Sequence, residues 1–149
     1  MFVDIYYCKF DEKSRLMLPV DLRKRLAPYI KDGITLNYNL LTKCIDILTQ
    51  ENMKRIEDYF NQLDQFDPEH LEFMNLTFAH TKSAIIDNTG RMLVAPELKS
   101  IAQLGKEVVI KGVGFNFAIW NKESYEATVQ KGMDTYPELA QNIRKYINK

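Results

Sequence analysis

Several features are scarce in this sequence of 149 residues, and each scarcity removes a class of function. No apolar run approaches the roughly 18 residues needed to cross a bilayer, so no membrane association is expected. The start, Met1-Phe2-Val3-Asp4, lacks the basic region and apolar run of a secretory signal, which leads us to expect a soluble intracellular protein. The two cysteines, Cys8 and Cys44, have neither metal nor redox spacing; they are expected to be buried small hydrophobes in a reducing cytoplasm. The two histidines, His70 and His80, have no cysteine near them, so neither a metal nor a cofactor is expected. Gly112-Val113-Gly114 lacks the third glycine and the following helix of a dinucleotide loop and reads as a turn. No nucleophile–base pairing is visible, and the chain does not read as an enzyme. Net charge is zero, which excludes a uniformly basic coat.

What the chain does contain is one stretch written twice. Asp11-Glu12-Lys13-Ser14-Arg15-Leu16-Met17-Leu18-Pro19-Val20-Asp21-Leu22-Arg23 returns 76 residues later as Asp87-Asn88-Thr89-Gly90-Arg91-Met92-Leu93-Val94-Ala95-Pro96-Glu97-Leu98-Lys99. Asp11 falls on Asp87, Arg15 on Arg91 and Arg23 on Lys99 without a gap. A fixed offset carrying both apolar pattern and charge marks a duplicated unit. The expected halves are residues 1–75 and 76–149. Neither is long enough to be more than marginal alone, so a shared core is expected.

Each half reads as strands followed by helices. Residues 2–10 are rich in β-branched and aromatic types and predict a strand. A turn at Asp11–Ser14, a short strand at Arg15–Leu18 and a helix from Val20 to Leu26 ended by Pro28 follow. Strands are expected around Thr35–Tyr38 and Ile45–Ile47. Thr49 caps a helix carrying Met53, Ile56, Tyr59, Phe60 and Leu63, and a second helix carries Leu71, Phe73 and Met74. The second half predicts a strand up to Ile86, a turn at Asp87–Gly90, a strand at Arg91–Val94 and a helix near Pro96–Ala102. Strands at Val108–Lys111 and Phe117–Trp120 follow, then a helix from about Glu123 and a separate final helix from Pro137 to Ile147.

The repeated turn has a physical logic. An aspartate opening a tight turn accepts hydrogen bonds from amides two or more residues on. Gly90 suits a position with positive φ, where the first copy has Ser14. Arg15 and Arg91 either clasp the aspartate of their own turn or reach outward. The company of Lys13, Arg23, Lys24 and Arg25 favours outward reach for Arg15, and its lack favours the clasp for Arg91. Residues 13–25 carry a net charge of +4 and residues 51–72 a net charge of −5, an asymmetry that gives a neutral chain an anion-attracting face. Trp120 and the tyrosines and phenylalanines read as core or subunit-interface anchors, since no basic residues interleave with them.

The pattern Asp-x-Lys-Ser-Arg-Leu-x-Leu-Pro with Leu22-Arg23, its second Asp-x-x-Gly-Arg copy, and Val108-Val109-Ile110-x-Gly-Val-Gly before Ile119-Trp120 resembles the MraZ family over nearly the whole chain. Ser14 stands where the family usually has Gly, and Ala95 where the second copy usually has Pro. The resemblance implies an α+β fold with a mainly β core: two tandem AbrB-like, swapped-hairpin, β-barrel-type repeats with peripheral helices. It implies a bacterial transcription regulator of the division and cell-wall gene cluster, cytoplasmic and nucleoid-associated. Such a protein would assemble into an octameric or dodecameric ring and bind repeated promoter elements in double-stranded DNA. Lys13 and Arg15 are then the main DNA contacts, with Arg23, Lys24 and Arg91 as further contacts. Asp11, Ser14, Asp87 and Gly90 shape the turns.

Two other readings belong to different classes. One is a non-enzymatic assembly module whose basic patch binds an acidic protein. The other is an antitoxin-type AbrB-like regulator, although such chains end in a disordered tail and this one ends in a predicted helix.

Overall fold

A computed structural model describes residues 1–148. The first part of the chain forms β1 (Ile5–Lys9), β2 (Arg15–Met17), α1 (Val20–Ile30), β3 (Thr35–Asn39), β4 (Cys44–Leu48), α2 (Gln50–Phe60) and α3 (Pro68–Thr77). The rest forms β5 (Thr81–Ser83), β6 (Ile85–Ile86), β7 (Arg91–Leu93), α4 (Pro96–Ile101), β8 (Glu107–Gly112), β9 (Phe117–Asn121) and α5 (Lys122–Ile147). The architecture is α+β, with a mainly β core and peripheral helices.

Strands β1-β8-β9-β4-β3-β5 make one antiparallel sheet and β2-β7-β6 a second. Strands from the two parts of the chain interleave: β1 pairs with β8, β4 with β9 and β2 with β7. Both sheets are open among the described residues, which corrects the expected barrel-type closure. A single antiparallel bridge, Phe10 with Leu16, joins the end of the larger sheet to β2, and the two ladders otherwise stay separate.

Period-two patterning decides which side chains enter the core. Leu16 faces Met92 across the β2–β7 pair, and both are fully buried. Leu22 and Leu26 of α1, Leu98 of α4, Ile45 and Ile47 of β4, and Ile110, Phe117 and Ile119 complete the centre of one continuous core. Cys8 and Cys44 are buried thiols, and burial pushes them up to about 11 and about 12. They behave as the small hydrophobes expected of them.

Several expectations need correction. Helix α1 continues through Pro28 to Ile30; the proline forfeits one backbone bond, and the carbonyl it frees, that of exposed Lys24, is open to solvent. Gly33, at φ +94°, then turns the chain away. The strand expected up to Ile86 is split: β5 joins β3, β6 joins β7, and the Ala84 amide donates to the Ile34 carbonyl where the chain changes sheets. Helix α2 stops at Phe60, before Leu63. Its start is the one expected, with Thr49 and Asn52 forming a reciprocal cap. The two helices expected after Glu123 are one helix, α5, continuous through Pro137. The carbonyl freed by that proline belongs to an exposed helix, where solvent can satisfy it.

Candidate nucleic-acid interface

The two copies of the repeated stretch build the same turn. In the first, the Lys13 and Arg15 amides donate to Asp11 Oδ1 at 2.8 and 3.0 Å. In the second, the Thr89 and Arg91 amides donate to Asp87 Oδ1 at 2.9 and 3.0 Å. Backbone bonds repeat as well: Ser14 to Asp11 and Gly90 to Asp87, Asp11 to Arg15 and Asp87 to Arg91. The Arg15 amide is the chief cause holding the Asp11 carboxyl below the usual carboxylate range, and the Arg91 amide does the same for Asp87. Both aspartates therefore serve as anionic turn anchors.

The arginines differ in a way opposite to the sequence expectation. Arg15 Nε donates to Asp11 Oδ2 at 2.8 Å, and its terminal Nη1 lies 3.9 Å from Asp87 Oδ2. Arg91 instead donates to the Thr89 hydroxyl at 3.2 Å. The position equivalent to Thr89 is Lys13, and this accounts for the difference. The Thr89 hydroxyl donates to Asp87 Oδ1 at 2.7 Å and offers its own oxygen to Arg91, whereas Lys13 supplies no hydroxyl. With Nε held by Asp11, the guanidinium is oriented, and its terminal N–H edge is the part that suits bidentate recognition of phosphate or guanine.

The turns are also braced across the molecule. Arg23, on α1, donates to the Thr89 carbonyl at 3.3 Å and covers Gly90, whose missing Cβ would lie 2.2 Å from Arg23 Cδ. Lys99, on α4, donates to the Ser14 hydroxyl at 3.2 Å and sits 4.1 Å from the centre of the Phe10 ring. The Leu18 amide donates to the Gly90 carbonyl, and the Val94 amide to the Ser14 carbonyl. Residues 76 apart thus exchange equivalent contacts. Gly90 has φ +85° and Ser14 φ +61°, so the serine adopts the left-handed conformation that glycine takes without penalty.

The structure therefore gathers Lys13, Arg15, Arg23 and Arg91 around two turns joined by the β2–β7 pair. Lys24 lies elsewhere, lining a cavity with Met1, Arg25, Glu51 and Phe115. Arg25 beside it pairs with Asp4 at 3.4 Å. Lys99 is the basic residue absent from the sequence-derived set; its alignment with Arg23 was the available signal. His70 braces a loop, accepting from the Asp64 amide at 2.9 Å. Trp120 meets Tyr125 edge-on, anchoring the first turns of α5 on the sheet. Among the described residues no helix is long and apolar enough to cross a membrane.

A protein-family model described as "MraZ protein, putative antitoxin-like" matches residues 77–142, which include the second turn. The transcriptional regulator MraZ of Christiangramia forsetii is 30% identical over 141 residues, covering 95% of this chain and 91% of the relative. This chain belongs to the MraZ family. The transcriptional regulators MraZ of Syntrophobacter fumaroxidans and Mycoplasmoides gallisepticum are similar too, at 30% over 131 residues and 29% over 143. These cover 88% and 96% of this chain and 86% and 97% of the relatives. The named MraZ relatives are transcriptional regulators, which is not an enzyme class.

Proposed function

We propose that this MraZ-family chain is a cytoplasmic, nucleoid-associated transcriptional regulator that binds double-stranded promoter DNA through the paired turns. The carrying observation is the Asp-anchored, oriented guanidinium of Arg15 beside exposed Lys13, with Arg91 on the matching turn of the same small sheet. Lys13 and Arg15 make the principal contacts. Arg23 and Arg91 add phosphate attraction, whereas Lys24, set away from the turns, has no part in this reading; Asp11, Ser14, Asp87 and Gly90 hold the turns. The halves, residues 1–75 and 76–149, are in this reading duplicated AbrB-like units sharing one core. The equivalent backbone bonds from Leu18 to Gly90 and from Val94 to Ser14, residues 76 apart, support it.

A few phosphate contacts on one subunit bind weakly and carry no sequence information. Repetition around an octameric or dodecameric ring makes them multivalent, so that repeated elements upstream of division and cell-wall genes are preferred over single ones. DNA following a curved rim must bend, which adds readout through deformability. Competition separates this from a module that binds an acidic protein. A duplex carrying the upstream repeats should resist displacement by heparin better than a scrambled duplex, with affinity for both falling as salt rises. Equal displacement of the two duplexes would favour general polyanion binding and contradict the proposal.

A further inference from the structure

A hollow of about 410 Å³ opens where the β3–β4 turn, the C-terminal end of α4, the end of β9 and the start of α5 meet. Its size is that of a small-molecule site. The lining is rich in donors: the hydroxyls of Thr42, Ser124 and Thr128, the amides of Gln103 and Asn121, and the indole N–H of Trp120. Lys43 brings one positive charge, and no carboxylate lines the hollow.

Trp120 Nε1 is shielded from solvent and has no hydrogen-bond partner among the described residues. A buried donor left unpaired is destabilising, so this N–H calls for an acceptor. Lys43, Ser124 and Thr128 are exposed and free to change rotamer, which gives a ligand a way to it. Two lining residues also stand where glycine would be less strained. Lys43 has φ +62° and Gln103 φ +53°, and among the described residues Ser14 is the one other non-glycine residue with positive φ. Strain of this kind gathers at binding sites.

We propose that this hollow binds a small sugar phosphate and that its occupancy is felt at the first turn. The inference deepens the proposed function, and its second half rests on that reading. Lys43 takes the phosphate as a point charge. The hydroxyl and amide side chains both donate and accept, which suits a ring of hydroxyl groups, and the Trp120 N–H completes the set. One cation fits a ligand with a single phosphate; a nucleoside triphosphate would bring more charge than Lys43 balances.

The path to the turn is short. Asn121 Nδ2 donates to the Gln103 carbonyl at 3.2 Å, tying the end of α4 to the start of α5. The Leu104 amide donates to the Lys99 carbonyl at 2.9 Å, and the Lys99 ammonium donates to the Ser14 hydroxyl at 3.2 Å. A ligand bridging Lys43 and Gln103 therefore holds the end of the helix whose Lys99 braces the first turn. Bound ligand should raise DNA affinity, and DNA should raise ligand affinity by the same factor.

Trp120 is the chain's only tryptophan, so its fluorescence reports on the hollow directly. Titration with glucose-6-phosphate, beside glucose and inorganic phosphate, tests the site, and calorimetry extends it to variants. Glucose-6-phosphate should shift the emission and saturate, whereas glucose and phosphate should each bind about tenfold more weakly or worse. Lys43→Asn keeps a residue tolerant of positive φ and should weaken binding about tenfold or more. Trp120→Phe should weaken it too, with circular dichroism showing both variants folded. Equal binding of inorganic phosphate would overturn the sugar assignment in favour of a general anion site. No saturable signal at millimolar ligand, or binding unchanged in Lys43→Asn, would overturn the site. DNA titration with and without the ligand tests the coupling: the expected gain is about fivefold and is lost in Lys99→Met. An unchanged DNA affinity would overturn the coupling and leave the site. Wild type that binds the sugar phosphate but no DNA would overturn the proposed function, and the coupling with it, and leave the site standing.

Discussion

Ser14 and Gly90 occupy the same place in the two turns and both have positive φ, but only the glycine takes it without strain. Ser14→Gly should therefore stabilise the fold by up to about 1 kcal/mol, lowered somewhat by loss of the Lys99–Ser14 hydrogen bond. Gly90→Ala should destabilise by about 1–2 kcal/mol and displace Arg23, because the added Cβ meets that side chain as well as the conformational penalty. Denaturant unfolding of both variants checks the opposite signs. The turn aspartates give a pH dependence. Their folded-state carboxyls lie below the ordinary value of about 3.9, so their stabilisation is complete above that value and is lost as pH falls through the lower folded-state value. The melting temperatures of Asp11→Asn and Asp87→Asn should lie below wild type by a constant margin between about pH 5 and 8. That margin should narrow below about pH 4, as thermal melts across pH will show.

At the scale of elements, β2 and β7 hold the two turns together, and the Leu16–Met92 pair lies beneath them. Leu16→Ala should cost about 2–5 kcal/mol by removing a fully buried side chain, measured by denaturant unfolding, and should lower DNA affinity through the turns it supports. Most elements were legible because their signals are local: alternating strands, the Thr49 cap and the repeated Asp turns. The misreadings share a cause. Pro28 and Pro137 break helices by local rule, yet both lie at exposed positions where a lost backbone bond is replaced by solvent. The switch of sheets at Ala84 and the openness of both sheets depend on strand pairing across the whole chain, which no local pattern reports. Neighbouring charge does not decide which arginine clasps its aspartate; the Thr89 hydroxyl does, by standing between Asp87 and Arg91.

For the molecule as a whole, the neutral net charge hides a division of labour. Lys13, Arg15, Arg23, Arg91 and Lys99 collect around the two turns, while the acidic residues of 51–72 lie on and between α2 and α3. The run of basic residues from 13 to 25 suggested a single patch. The fold separates it, sending Arg23 to the second turn and Arg25 to Asp4, because consecutive positions on a helix face different ways. The 76-residue offset was the stronger guide to the two turns, whose hydrogen bonds match position for position. The most direct test of the account is the affinity of wild type and Arg15→Ala for a fragment from upstream of the protein's own gene. Each would be measured beside a scrambled fragment of equal length, at two salt concentrations. The account predicts preferential, salt-dependent binding by wild type and a loss of about tenfold or more in Arg15→Ala. Equal affinity for both fragments, unchanged by the substitution, would contradict it and leave Arg15 as no more than a brace for its own turn.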